Sequence, residues 1–209
     1  QATAGAALIV LVDSHCHLDA GEFDPDRAQV IARARAAGVM AQVVPAVTAA
    51  SWPKLREVCL QAPGLYPAYG LHPVFLAEHT REHVDELRQW IDRERPCAIG
   101  ECGLDFFIED LDRDLQQHYF VAQLELAREF DLPVIVHARR AVDAVIAESD
   151  AADAHFVKAI LLRLRGDGQG RDEQSRVRLG QQGDGDRCHR CQHSHLDEIV
   201  DGAALPDLQ

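Results

Sequence analysis

Basic residues are scarce in this chain: 21 Lys and Arg stand against 34 Asp and Glu, a formal net charge of −13. That balance disfavours a broad cationic face for holding nucleic acid. It leaves room for a small contact in which divalent cations supply the positive charge where phosphate binds. No apolar run approaches the roughly 18 residues of a membrane helix, so no membrane partner is expected. The opening QATAGAALIVLV lacks a basic segment before its apolar residues and does not read as a signal peptide. It also lacks an initiating methionine, so the true start is expected upstream. Six cysteines (Cys16, Cys59, Cys97, Cys102, Cys188 and Cys191) are scattered without the spacing of a disulfide framework, which makes a reducing cytoplasm the expected compartment. Nothing in the sequence marks an obligate protein partner.

What is present is enough for one sizeable core: 209 residues, 47% hydrophobic and 26% charged. Residues 1–150 repeat one pattern, a short apolar run, a loop with glycine, proline or histidine, then a stretch of helical periodicity. That is the signature of βα units around a parallel sheet. Strands are predicted over residues 8–12, 39–44, 65–69, 97–100 and 133–136, and helices over residues 26–37, 52–60, 81–93, 112–130 and 139–147. In the fourth helix Leu115, Tyr119, Ala122, Leu126 and Phe130 recur at helical spacing and are expected to pack on the sheet. Residues 151–209 read as a divergent tail. Between Arg165 and His195 the only aliphatic residues are Val177 and Leu179, too few to offset the entropy of ordering. A reading frame that slipped near residues 148–165 is the preferred explanation.

Polar groups gather near the strand ends. VDSHCHLDAGEF (residues 12–23) places His15 and His17 one residue apart, so on an extended chain they point the same way and can converge on a metal ion. GLHP (residues 70–73), GECGLD (residues 100–105) and HARR (residues 137–140) follow the third, fourth and fifth strands. In βα barrels and open βα sheets the site lies at the carboxyl ends of the strands, so four loops would meet there. Alone, His72 reads as a turn residue, Glu101 as a solvated strand end and His137 as a core histidine; together they read as a metal site. His15, His17, His137 and Glu101 make a mixed nitrogen and oxygen set that suits zinc, manganese, nickel or iron, with magnesium also a candidate, and is poor for calcium. Glu101 can bridge two divalent ions that activate water for attack on a phosphoryl group.

These stretches resemble the TatD-type metal-dependent hydrolases, deoxyribonucleases among the amidohydrolase-like TIM-type (β/α)8 barrels. The resemblance rests on DSHCHLD (residues 13–19), VPAVTAASWPKL (residues 44–55), GLHP, AIGECGLDFF (residues 98–107) and QQHYFVAQLELAREFDLPVIVHARRA (residues 116–141), and covers roughly residues 1–147. It implies that His15 and His17 bind one metal, that Glu101 bridges as the catalytic carboxylate, and that His137 binds the second metal. It further implies that His72 and Arg139 bind substrate phosphate, that Asp19 and Asp105 line the site, and that the substrate is DNA.

Two later motifs of that family, His-x-Phe-Ser-Gly and Glu-Thr-Asp-x-Pro, are absent. His155 lies too close to His137 to replace the first, and Asp207 follows rather than precedes its proline, so neither takes over a family role. The expectation is therefore a barrel incomplete after its fifth βα unit, open at its sheet edges, and an impaired phosphodiesterase. Loss of the general base would remove a step usually worth about 10²- to 10⁴-fold. Two alternatives stand beside it: an inactive remnant with residual metal binding, and a hydrolase of a small phosphoester or amide. CHRCQHSH (residues 188–195) offers four zinc-type ligands, but one residue between the ligand pairs is too short for a finger.

Overall fold

The computed structural model describes residues 11–152. Five parallel strands alternate with five α-helices: β1 (Leu11–Asp13), α1 (Arg27–Ala36), β2 (Val39–Pro45), α2 (Trp52–Leu60), β3 (Leu65–Tyr69), α3 (Glu82–Glu94), β4 (Ala98–Asp105), α4 (Arg113–Phe130), β5 (Val134–Arg139) and α5 (Val142–Ala151). The sheet runs in the order β1-β2-β3-β4-β5, so each helix from α1 to α4 returns the chain to the adjacent parallel strand. This is the half-barrel of a TIM-type (β/α) fold among the described residues. Residues 8–10, the tail, His155, Asp207 and CHRCQHSH lie outside them.

Local chemistry sets the helix ends. Pro53 sits in the first turn of α2, where its missing N–H costs nothing, and the Asp112 side chain caps α4 by accepting from the Leu115 N–H at 3.0 Å. At its other end α4 stops where Asp131 turns left-handed.

Alternation along the strands divides the core. On the outer face Val44, Tyr69, Ile99, Leu104 and Val136 pack against helix residues such as Trp52, Leu87, Ile91, Phe120 and Leu124. Each such large side chain contributes about 1.5–3 kcal/mol by leaving water. The inner face carries a smaller layer of Val43, Ala68, Ala98 and Ile135, one residue from each of four adjacent strands. Two residues beyond Ile135 on that face comes His137, and beyond Ala98 comes Glu101, three residues on across an irregularity of β4. The hydrophobic layer is the floor of the site.

The structure corrects several expected boundaries. The apolar run that ends in β1 suggests a buried strand, yet Leu11 and Val12 are 46% and 45% exposed, because β1 is an edge of the sheet among the described residues. GECGLD was read as a loop after the fourth strand; it is β4 itself, buried throughout. Likewise β5 extends through His137 to Arg139, so α5 begins at Val142. Three short 3-10 turns, Gly21–Phe23, Ala49–Ser51 and Pro73–Glu78, were not anticipated.

Candidate metal centre

After β1 the chain stays extended: the Cys16 N–H donates to the Val43 carbonyl at 3.0 Å, and the Cys16 thiol turns away from the histidines toward the same carbonyl. His15 and His17 therefore share a side, with their Nε2 atoms 3.0 Å apart. The His17 Nδ1 lies 3.1 Å from the Pro45 carbonyl, which can only accept, so that nitrogen carries the hydrogen of the neutral ring and Nε2 presents its lone pair. The His15 Nδ1 is buried without a partner among the described residues.

β4 brings Glu101 to these rings through an irregularity. Its register with β5 runs from Ile99↔Val134 to Cys102↔Val136, three steps on one strand against two on the other. Both Ile99 and Cys102 face the outer core, so the extra residue is what turns Glu101 inward. Gly103 allows β4 to approach β5 closely here. Its φ is +136°, and an added Cβ would fall 2.1 Å from the His137 carbonyl oxygen.

Glu101, 4% exposed, divides its two oxygens between two pairs of histidines. Oε2 lies 3.3 Å from His15 Nε2 and 3.5 Å from His17 Nε2, while Oε1 lies 3.2 Å from His137 Nδ1 and 3.6 Å from His72 Nε2. Burial pushes this carboxyl up, but hydrogen bonding with the histidines, His137 foremost, more than reverses it and holds it well below the usual carboxylate range. The Glu101 hydrogen bond raises His17 above the ordinary histidine value. For His137, burial acts downward and is outweighed by Glu101 and Asp105, so it too is raised.

His137 and His72 are held in different states. Asp105 Oδ2 stands 3.0 Å from His137 Nε2, which fixes that nitrogen as the donor and leaves Nδ1 as a lone pair beside Glu101. His72 Nδ1 instead accepts from the Val74 N–H at 3.1 Å, so its Nε2 carries the hydrogen. Burial lowers its basicity and keeps it neutral. His72 thus offers a donor rather than a ligand, even though His72, Glu101 and His137 converge as closely as His15, His17 and Glu101.

The remaining expected residues lie further out. Buried Asp19 is within electrostatic reach of His17, Lys54 and Arg27, and burial raises its carboxyl, but it makes no hydrogen bond or ion pair with the cluster among the described residues. Arg139 ends β5 on the inner face two residues after His137, with its guanidinium carbon 3.5 Å from the centre of the Phe107 ring.

Residues without an expected role support the centre from behind. His79 Nε2 donates to the His72 carbonyl at 2.9 Å. Gln116 and Gln123 on α4 each bond to strand-end backbone: Gln116 to both the N–H and the carbonyl of Asp105, Gln123 to both those of Leu71. The apolar spacing of α4 carries no signal for the glutamines, although they sit on the face that turns toward the sheet, where an unpaired amide would be expensive.

The donor set fits a divalent cation. Ring nitrogens of His15 and His17 converge on one oxygen of a buried, ionised carboxylate, and Nδ1 of His137 on the other, with no lysine or arginine paired to it among the described residues.

Known proteins agree. The TatD related DNase family matches residues 12–167. An uncharacterized metal-dependent hydrolase of Escherichia coli, YjjV, is 39% identical over 63% of this chain and 52% of its own length. The 3'-5' ssDNA/RNA exonuclease TatD of a Pantoea species is 36% identical over 66% of this chain and 53% of its own. The crystal structure of YjjV superposes with a TM-score of 0.65 at 36% identity, covering 68% of this chain and 56% of that one. That of a TatD family hydrolase from Entamoeba histolytica gives 0.66 at 19% identity, 72% of this chain and 56% of that one, a likeness of fold. The chain spans about half the length of the curated relatives it matches. With its motifs, half-barrel and histidine-carboxylate cluster in agreement, the chain belongs to the TatD related DNase family.

Proposed function

We propose that this chain hydrolyses phosphodiester bonds in DNA, with two divalent cations held by His15, His17, Glu101 and His137. The observation that carries this reading is the division of the Glu101 carboxylate, one oxygen toward His15 and His17 and the other toward His137. A buried carboxylate with imidazole nitrogens facing each of its two oxygens is the arrangement a bridging ligand needs. Bound cations would lower the pKa of water and offset charge on the phosphoryl group.

The chain's own residues then have distinct tasks. The His72 Nε2–H is aimed into the site and would donate to a phosphate oxygen. Asp105 keeps the His137 ring in the tautomer that presents Nδ1. Arg139, on the same inner face and stacked on Phe107, would meet phosphate beside the centre, supplying positive charge that a chain of net charge −13 otherwise lacks. Asp19 would line the His17 side. Single-stranded nucleic acid is the preferred form of the substrate, since that is what the Pantoea relative is named for.

A second reading, metal binding without turnover, is favoured because the His15–His17 side of the centre holds no carboxylate besides Glu101 among the described residues. One assay decides between them: the full chain with an end-labelled single-stranded oligonucleotide and Mn²⁺, Zn²⁺ or Mg²⁺. Metal-stimulated cleavage that disappears in Glu101→Ala is expected. Cleavage unchanged in that variant would overturn the assignment, and metal binding with no cleavage in the wild type would favour the second reading.

A further inference from the structure

We infer that Gln116 and Gln123 of α4 are positioning residues that set the two halves of the centre separately, Gln116 the Asp105–His137 half and Gln123 the His72 donor. The inference rests on the metal-centre reading and goes beyond it, since neither glutamine touches a candidate ligand of the cations.

The sheet itself creates the need. β3 and β4 pair only through Ala68↔Ala98 and Tyr69↔Ile99. Past that point the two strands carry no rungs to one another, while Leu71 and Asp105 remain buried at 1% exposure. Their backbone groups are out of reach of water and need other partners. α4 supplies them. The Asp105 N–H donates to Gln116 Oε1 at 2.7 Å, and Gln116 Nε2 donates to the Asp105 carbonyl at 2.9 Å. In the same pattern the Leu71 N–H donates to Gln123 Oε1 at 2.8 Å, and Gln123 Nε2 donates to the Leu71 carbonyl at 3.1 Å and to the Tyr119 carbonyl at 3.0 Å. Each amide acts as one rung of a missing strand. Seven residues apart, the two side chains leave the same helix face about 10.5 Å from one another along its axis.

What each rung fixes differs. Asp105 Oδ1 is already taken by the N–H groups of Phe107 and Ile108, and Oδ2 holds His137 Nε2, so a shift of the Asp105 backbone passes to the His137 ring. Leu71 immediately precedes His72, whose own backbone is held by the Val47 carbonyl and by His79. A shift there moves the Nε2–H that faces Glu101 Oε1.

The test uses the full chain and the variants Gln116→Met, Gln123→Met and Leu126→Ala. The last removes a buried α4 side chain that makes none of these polar contacts. Histidine-ring nitrogen signals are recorded by NMR with the metal removed, Mn²⁺ affinity by calorimetry, and KM and kcat on the oligonucleotide at saturating Mn²⁺. Gln116→Met is expected to move the His137 signals alone and to weaken Mn²⁺ binding by about tenfold or more, as loss of support behind a ligand does. Gln123→Met is expected to move the His72 signals alone, leave Mn²⁺ affinity within about twofold, and raise KM by about tenfold. Leu126→Ala should lower the unfolding midpoint and move neither ring. If a methionine variant does not fold, Gln116→Glu or Gln123→Glu, which keeps an acceptor for the strand N–H, takes its place. Both rings moving in both variants, or neither in either, would overturn the inference. Should the wild type bind no Mn²⁺, the metal-centre reading falls, and the ring signals still decide the positioning role.

Discussion

At the residue scale the centre is a competition between protons and cations for the same nitrogens. His17 and His137 are raised above their ordinary value, His17 by hydrogen bonding to Glu101, and His137 by Glu101 and Asp105 against the effect of burial. In the metal-free chain the stabilisation this represents is complete below the unfolded histidine value of about 6.5 and is lost as pH rises through the raised folded values. A cation needs those nitrogens unprotonated, so the metal-bound state follows the opposite trend. Mn²⁺ affinity measured by calorimetry is therefore expected to rise as pH climbs from the ordinary histidine value through the raised folded values, and then to level off. An affinity flat across that window would show that neither nitrogen is a ligand. The contrast with His72 is instructive: it lies almost as near the carboxylate, but the Val74 N–H has claimed its other nitrogen, which makes it a donor.

At the scale of elements, β4 decides whether the site exists. Gly103 at φ +136° leaves no room for a Cβ against the His137 carbonyl. A Gly103→Ala substitution must push β4 and β5 apart at the point where Glu101 and His137 face one another. It is expected to cost at least tenfold in Mn²⁺ affinity, with circular dichroism showing the helices retained; unchanged affinity would mean that the strands can move without moving the ligands. This stretch was also where the sequence was hardest to read. The βα alternation was legible because Val and Ile mark β2 and β5, Leu65 with two tyrosines marks β3, and helical spacing marks α2 to α4. GECGLD carries two charges and two glycines in six residues, which imitates a loop. It is a buried strand because histidines and backbone groups from neighbouring elements satisfy those charges. Helical spacing found α4 and, in Tyr119 and Leu126, its buried face, but Leu115 and Ala122 are only partly buried, whereas their neighbours Gln116 and Gln123 are fully so. Polar residues that pair with strand-end backbone are invisible to an apolar pattern. His15, His17, His72, Glu101 and His137 were legible as a group because each follows or ends a predicted strand, and parallel strands deliver such residues to one end of a sheet.

For the molecule as a whole, the centre joins parts of the chain that are distant in sequence. His15 and His17 follow β1, His72 follows β3, Glu101 lies in β4 and His137 in β5, so a cation held among them binds the folded chain and not the unfolded one. Ligand that binds only the folded state stabilises it by about 2.7 kcal/mol at a hundredfold excess over its dissociation constant. For a chain of this size each kcal/mol moves the unfolding midpoint by roughly 2–4 °C, so a rise of about 5–10 °C is expected. Manganese is the cation to use, because it prefers oxygen and nitrogen, whereas zinc would also engage the six cysteines in the unfolded chain and mask the effect. Calorimetric scans with Mn²⁺ and then with excess chelator should show the midpoint rise and return. Glu101→Ala should abolish most of the rise, since both halves of the centre lose an oxygen at once. His72→Ala should keep it, because His72 holds its ring hydrogen toward the site and contributes no lone pair. A rise that survives Glu101→Ala would place the cation elsewhere in the chain and remove the physical basis for assigning hydrolysis to this centre.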